Sequence, residues 1–103
     1  MKLIDYQENI KNYNDYPLDL GPYYLILGAQ QSLGKLSERL KDILKDNEGI
    51  MNEKDKLNIS IAIGDILYYL ISISNSLDIQ FDQIAALSLR KQNLLREQKN
   101  KKV

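Results

Sequence analysis

The side chains able to do chemistry in this chain are few, because its 103 residues include neither cysteine nor histidine. That excludes disulfides, thiolate nucleophiles and zinc–thiolate sites. It also removes the commonest general base and transition-metal ligand. Chemistry must rest on carboxylates, lysine, tyrosine or a hard metal ion. Two stretches concentrate such groups among apolar neighbours: Gly28-Ala-Gln-Gln-Ser-Leu-Gly-Lys-Leu-Ser-Glu38 and Ile61-Ala-Ile-Gly-Asp-Ile-Leu-Tyr-Tyr-Leu70. In the second, Asp65 stands alone in an apolar run, and burying an unpartnered carboxylate is expensive. A third concentration is basic. Residues 1–89 hold 8 basic and 13 acidic side chains, whereas Arg90, Lys91, Arg96, Lys99, Lys101 and Lys102 face Glu97 alone in 90–103. Such a tail can meet phosphates, but it carries no aromatic for stacking on single strands. A solvated helix end is expected there and nucleic acid is not an expected partner.

The elements that must position these groups read as helices. Pro17 and Gly21-Pro22 bracket a loop after a first amphipathic segment over roughly 3–13. Pro22 suits the first turn of the next helix, where its missing N–H costs nothing. From there to about Lys45, Leu25, Leu33, Leu36, Leu40 and Leu44 recur at helical spacings. Residues 46–52 form a loop with Gly49 as its flexible point, and Asn52 is placed to cap a third helix whose first turn holds Glu53 and Asp55. That helix is apolar on most sides, which predicts burial on most sides. Its isoleucines favour strand by propensity, but the 3.6-residue period over about 23 unbroken residues argues for helix. A last helix runs from about Phe81 through Ile84, Leu87 and Leu94. The expected fold is all-α, four helices and no sheet, in one domain over 1–103.

The two stretches resemble the signature segments of the MazG-like all-α nucleoside triphosphate pyrophosphohydrolases, which read roughly G-L-x-G-E-x-G-E-L and E-L-G-D-V-L-W-Y-L. Further matches are Asp5-Tyr-Gln7, Tyr16-Pro17, the lead-in Tyr23-Tyr-Leu-Ile-Leu-Gly28 and Tyr68-Tyr69, so that the likeness covers about residues 4–96. The resemblance implies a four-helix bundle completed by oligomerisation, as a homodimer or homotetramer with pockets near the subunit interface. It also implies four carboxylates on two antiparallel helices that hold Mg²⁺, an ion that takes oxygen ligands and activates water. Here those positions read Ser32, Lys35, Ala62 and Asp65. Asp65 is the one retained ligand position, Lys35 puts a positive charge where a cation would bind, and Asn58 is an amide. The family's N-x-x-K reads Ser88-Leu-Arg-Lys91, keeping the lysine that meets phosphate.

The expectation is therefore a non-catalytic MazG-like protein that binds a nucleotide or phosphorylated nucleotide-derived signal without Mg²⁺, with Ser32, Lys35, Asp65, Tyr68, Ser88 and Lys91 as ligand-binding residues. A phage sponge against nucleotide-signalling defences would need such a pocket. A plainer reading pairs Lys35 with Asp65 in a salt bridge that closes a dead pocket. Alternatives are an active Mg²⁺-dependent hydrolase using Glu38 and Asp42 or another subunit, and a protein-interaction module on the same fold. With no run of about 18 apolar residues and no signal-peptide stretch at the start, no membrane span and a cytoplasmic location are expected.

Overall fold

In the computed structural model, which describes residues 1–13 and 18–101, all regular structure is helical. Helix α1 spans Leu3–Ile10 and a short 3-10 turn covers Leu18–Leu20. Three long helices follow: α2 over Gly21–Asn47, α3 over Glu53–Ser76 and α4 over Phe81–Lys101. The all-α class with four helices holds, with no strand among the described residues. Tyr16-Pro17, part of the family likeness, lies outside them, as does Lys102.

Local chemistry sets most of the boundaries. Pro22 stands in the first turn of α2, as its fixed φ and missing donor favour. The turn into α3 needs two residues in left-handed backbone, Glu48 at φ 52° and Gly49 at φ 81°; glycine takes that conformation at little cost. The Gly49 amide reaches back to the Ile43 carbonyl at 3.2 Å, closing the end of α2. Asn52 then caps α3 as expected. Its Oδ1 accepts from the Asp55 amide at 2.8 Å, and the Asp55 carboxylate accepts from the Asn52 amide at 3.0 Å, a reciprocal capping box. Two ends need comment, and one of them differs from expectation. α1 stops at Ile10 instead of near Tyr13, where Asn9 and Asn12 are poor helix formers. At the other, α4 continues past Leu94 to Lys101, through glutamine, arginine and lysine, which are good ones and make the basic stretch the solvated helix end expected of it.

Helices α2 and α3 form the main hairpin, and α1 lies on the C-terminal half of α3. The buried apolar residues are Ile10, Leu25, Ile43 and Ile71. A polar clasp ties the ends together. The buried Gln7 side chain donates to Asn75 Oδ1 at 3.0 Å and to the Ile79 carbonyl at 2.9 Å, and accepts from the Phe81 amide at 2.8 Å. The Asn75 amide returns a bond to the Gln7 carbonyl at 3.3 Å. One glutamine thus joins α1, the end of α3 and the first turn of α4.

Within the single chain α3 is not buried on most sides. Its buried residues are Ile71, Ser72 and Ser74, whereas Ile63 is 54% exposed and Leu70 42%. The physical reason is supply: α2 covers one side, the short α1 covers part of another, and α4, which packs mainly on α1, has no buried residue. The Cα radius of gyration is 17.1 Å, against about 13 Å for a compact chain of about 100 residues. Helix α2 adds Leu33 at 53% and Leu44 at 67% to the uncovered apolar surface. By length and composition α3 also qualifies as a membrane span, with a mean hydropathy of 1.5 over 18 residues, although it holds no unbroken apolar run of that length. Asp65 stands near its middle, and a carboxylate at that depth costs about 3 kcal/mol.

Candidate functional site

The α2–α3 hairpin is antiparallel, and one close contact fixes its register. A Cβ built on Gly28 would lie 2.8–2.9 Å from the Cζ and Cδ1 atoms of Tyr69, so the ring packs where only a glycine leaves room. Taken with the residues that line one cleft, this contact and an antiparallel step along both helices bring Ser32 near Asp65, Lys35 near Ala62, and Arg39 near Asn58. These six residues, with Leu36, Ile61, Tyr68 and Tyr69, line a cleft of about 380 Å³, within the range of small-molecule sites.

Four of the six residues expected at a site, Ser32, Lys35, Asp65 and Tyr68, therefore share one cleft. Ser88 and Lys91 do not line it; both are exposed on α4, which in the single chain packs mainly on α1. Asn58 lines the cleft without having been among the expected ligand-binding residues, and Arg39 was missed altogether. The available signal was its spacing, one turn beyond Lys35 and two beyond Ser32, which keeps all three on one helix face.

The electrostatics of the cleft are simple. Lys35, Arg39 and Asp65 leave it with a net charge of +1. The described ion pairs are Lys11–Glu8 and Lys56–Glu53; none joins Asp65 to either cation, so the salt bridge that would close the pocket is not formed. The Tyr6 hydroxyl is held above its usual pKa, first by burial and then by the Asp65 carboxylate, which puts α1 beside this end of the cleft. Tyr68 donates to the Tyr13 carbonyl at 3.2 Å and meets Tyr69 edge to face, with ring centroids 5.5 Å apart. Tyr23 and Tyr24, from the lead-in to the first stretch, are exposed in the chain.

The donor set does not fit a magnesium ion. The cleft offers one carboxylate and two cationic side chains, whereas Mg²⁺ requires hard oxygen ligands. The acids invoked for a rearranged enzyme do not repair this. Glu38 is absent from the lining, and Asp42 belongs to an adjoining depression near the α2–α3 turn, which shares Arg39 with the cleft and also holds Asp46 and Asp55. No three potential ligands cluster for a metal among the described residues.

Gly28→Ala tests the register. Alanine raises helix propensity by about 1 kcal/mol, but the methyl meets the Tyr69 ring, and overpacking costs about 1–3 kcal/mol. A net loss of stability is expected in thermal unfolding, with a change in tyrosine fluorescence as Tyr69 is displaced. A gain in melting temperature would mean that Tyr69 does not pack on Gly28.

No family model matches the chain, and no solved structure matches it. Among curated proteins it is similar to the Gene 37 protein of Mycobacterium phage L5, 24% identical over 71 residues. The match takes in 69% of this chain and spans 62% of the length of that protein.

Proposed function

We propose that this protein is a non-catalytic, MazG-like helical binder that holds a nucleotide or phosphorylated nucleotide-derived signal without Mg²⁺. The observation that carries the reading is the cleft itself. Lys35 and Arg39 oppose a single carboxylate where the resembled hydrolases use four, and ammonium and guanidinium groups bind phosphate directly. Tyr68 and Tyr69 add aromatic surface at one end. The similarity to a phage protein agrees with a role as a phage sponge that sequesters a nucleotide signal in the cytoplasm. The same reading has no membrane and no nucleic acid as partners.

A thermal-shift panel with nucleoside triphosphates, cyclic dinucleotides and ADP-ribose derivatives, with and without Mg²⁺, tests it. Ligand at 100 times its Kd adds about 2.7 kcal/mol, several degrees for a domain of this size. A Mg²⁺-independent shift with the ligand recovered intact supports binding. Mg²⁺-dependent cleavage to a monophosphate supports the hydrolase reading instead. No shift with any compound favours the protein-interaction module, the second reading, which the uncovered apolar faces of α2, α3 and α4 support.

The proposal includes self-association as a homodimer or homotetramer. Single exposed apolar residues are ordinary, but contiguous apolar surface marks an interaction site. Leu33 and Leu44 of α2, with Ile63 and Leu70 of α3, are large apolar side chains left exposed on two packed helices. A partner would also offer Ser88 and Lys91 a cleft to join. Light scattering after size exclusion is expected to give at least twice the mass of one chain, and Ile63→Glu with Leu70→Glu to lower it. A wild-type chain that stays monomeric at high concentration refutes self-association.

A further inference from the structure

We infer that the cleft is polarised, with Lys35, Arg39 and Asn58 forming a phosphate end and Asp65 an end that accepts hydrogen bonds from sugar or base, so that its ligand class is a nucleoside with a diphosphate group. This rests on the binder reading above and goes further, by fixing which end holds which part and how many phosphoryl groups are read.

The cleft holds unclaimed polar capacity. The side chains of Lys35, Arg39, Asn58 and Asp65 make no hydrogen bond or ion pair with any described residue, yet all four line one cleft. Their order along it follows from the register. Asp65 is level with Ser32, and Asn58 is level with Arg39 seven residues along, an axial separation of about 10 Å at 1.5 Å per residue. Lys35 lies between, one turn of about 6 Å from Arg39.

Charge then assigns the ends. Asp65 repels a phosphoryl group placed beside it and, as an acceptor without donors, calls for hydroxyl or amino groups. Arg39 presents a planar fork of donors that matches phosphate, and Asn58 opposite it adds amide donors without the repulsion of a carboxylate. Lys35 supplies a second cation one turn away. Two cations answer two phosphoryl groups. A third, carried toward Asp65, meets the carboxylate. A bare polyphosphate leaves Asp65 without donors, and a monophosphate leaves one cation unanswered.

Calorimetric titration without Mg²⁺ is the test, using ADP, GDP, CDP and UDP, the matching monophosphates, and inorganic pyrophosphate. The best diphosphate is expected to bind about tenfold or more tighter than its monophosphate and than pyrophosphate, the scale of one charge-assisted hydrogen bond. Arg39→Ala is expected to bring the diphosphate down to the monophosphate's affinity, and Arg39→Lys, which keeps the charge, to recover part of the loss. Asp65→Asn is expected to strengthen pyrophosphate binding and erase the preference for the nucleoside. If a diphosphate binds but Arg39→Ala leaves its affinity unchanged, or pyrophosphate binds as tightly as any nucleotide, the polarity is refuted and the binder reading stands. If none of these compounds binds while a cyclic dinucleotide does, the diphosphate class is wrong. If nothing binds, both fall.

Discussion

Gln7→Ala is expected to lower the melting temperature by more than about 10 °C. The variant removes a side chain that donates to Asn75 Oδ1 and the Ile79 carbonyl and accepts from the Phe81 amide, in a residue only 3% exposed. Each buried partner left unsatisfied costs about 1–3 kcal/mol. Discounting for partial burial, the total is about 3 kcal/mol, and each kcal/mol moves a domain of this size by about 4–8 °C. The Phe81 amide matters most, because it belongs to the first turn of α4, where helix N–H groups have no partner of their own. Since α4 packs mainly on α1, hydrogen exchange should show protection lost first along α4. Gln7→Glu keeps the acceptor for Phe81 but loses both donors, so it should be nearly as damaging. Glu8→Ala, which breaks the exposed pair with Lys11, should change stability by less than about 0.5 kcal/mol. A Gln7→Ala protein melting within a degree or two of wild type would mean that the clasp does not hold α4.

The importance of Gln7 was not legible in the sequence, and the reason is physical. Its three side-chain partners lie 68 to 74 residues away, and a glutamine on a short amphipathic helix reads as an ordinary solvated residue. What was legible is local. Asn52 with Asp55 announced the start of α3, Gly49 the turn before it, and Pro22 the start of α2, because caps and turns are decided by residues within one helical turn. The gathering of Ser32, Lys35, Asp65 and Tyr68 was legible only through the resemblance, since periodicity assigns a face to each helix but not the register between helices. Gly28 against Tyr69 supplies that register, and with it Arg39 and Asn58 enter the cleft. The burial expected for α3 did not appear in the single chain, because hydrophobic patterning records that a face must be covered and not by what.

Lys35→Glu combined with Ala62→Glu is expected to convert the cleft from an anion site to a cation site. Register makes the pair informative: Lys35 is level with Ala62, one turn along from Ser32 and Asp65, so the two new carboxylates face each other beside the existing one. Removing the lysine and adding two glutamates takes the cleft from +1 to −2, with Arg39 unchanged. Three carboxylates at such spacing supply the hard oxygen ligands that Mg²⁺ takes, and without the ion their mutual repulsion should lower stability. The double variant is therefore expected to melt below wild type in chelator and to regain stability as Mg²⁺ is added, while wild type shows no such dependence. Anion binding should move in the opposite direction, with any nucleotide affinity measured without Mg²⁺ lost. Each single variant separates the contributions. Ala62→Glu alone places its carboxylate opposite Lys35 and should form a salt bridge, with little gain in Mg²⁺ affinity. Lys35→Glu alone should abolish anion binding and bind Mg²⁺ weakly through two carboxylates. If the double variant gains no Mg²⁺ dependence and its stability in chelator equals that of wild type, residues 35 and 62 do not face each other, and the register that organises the cleft is wrong.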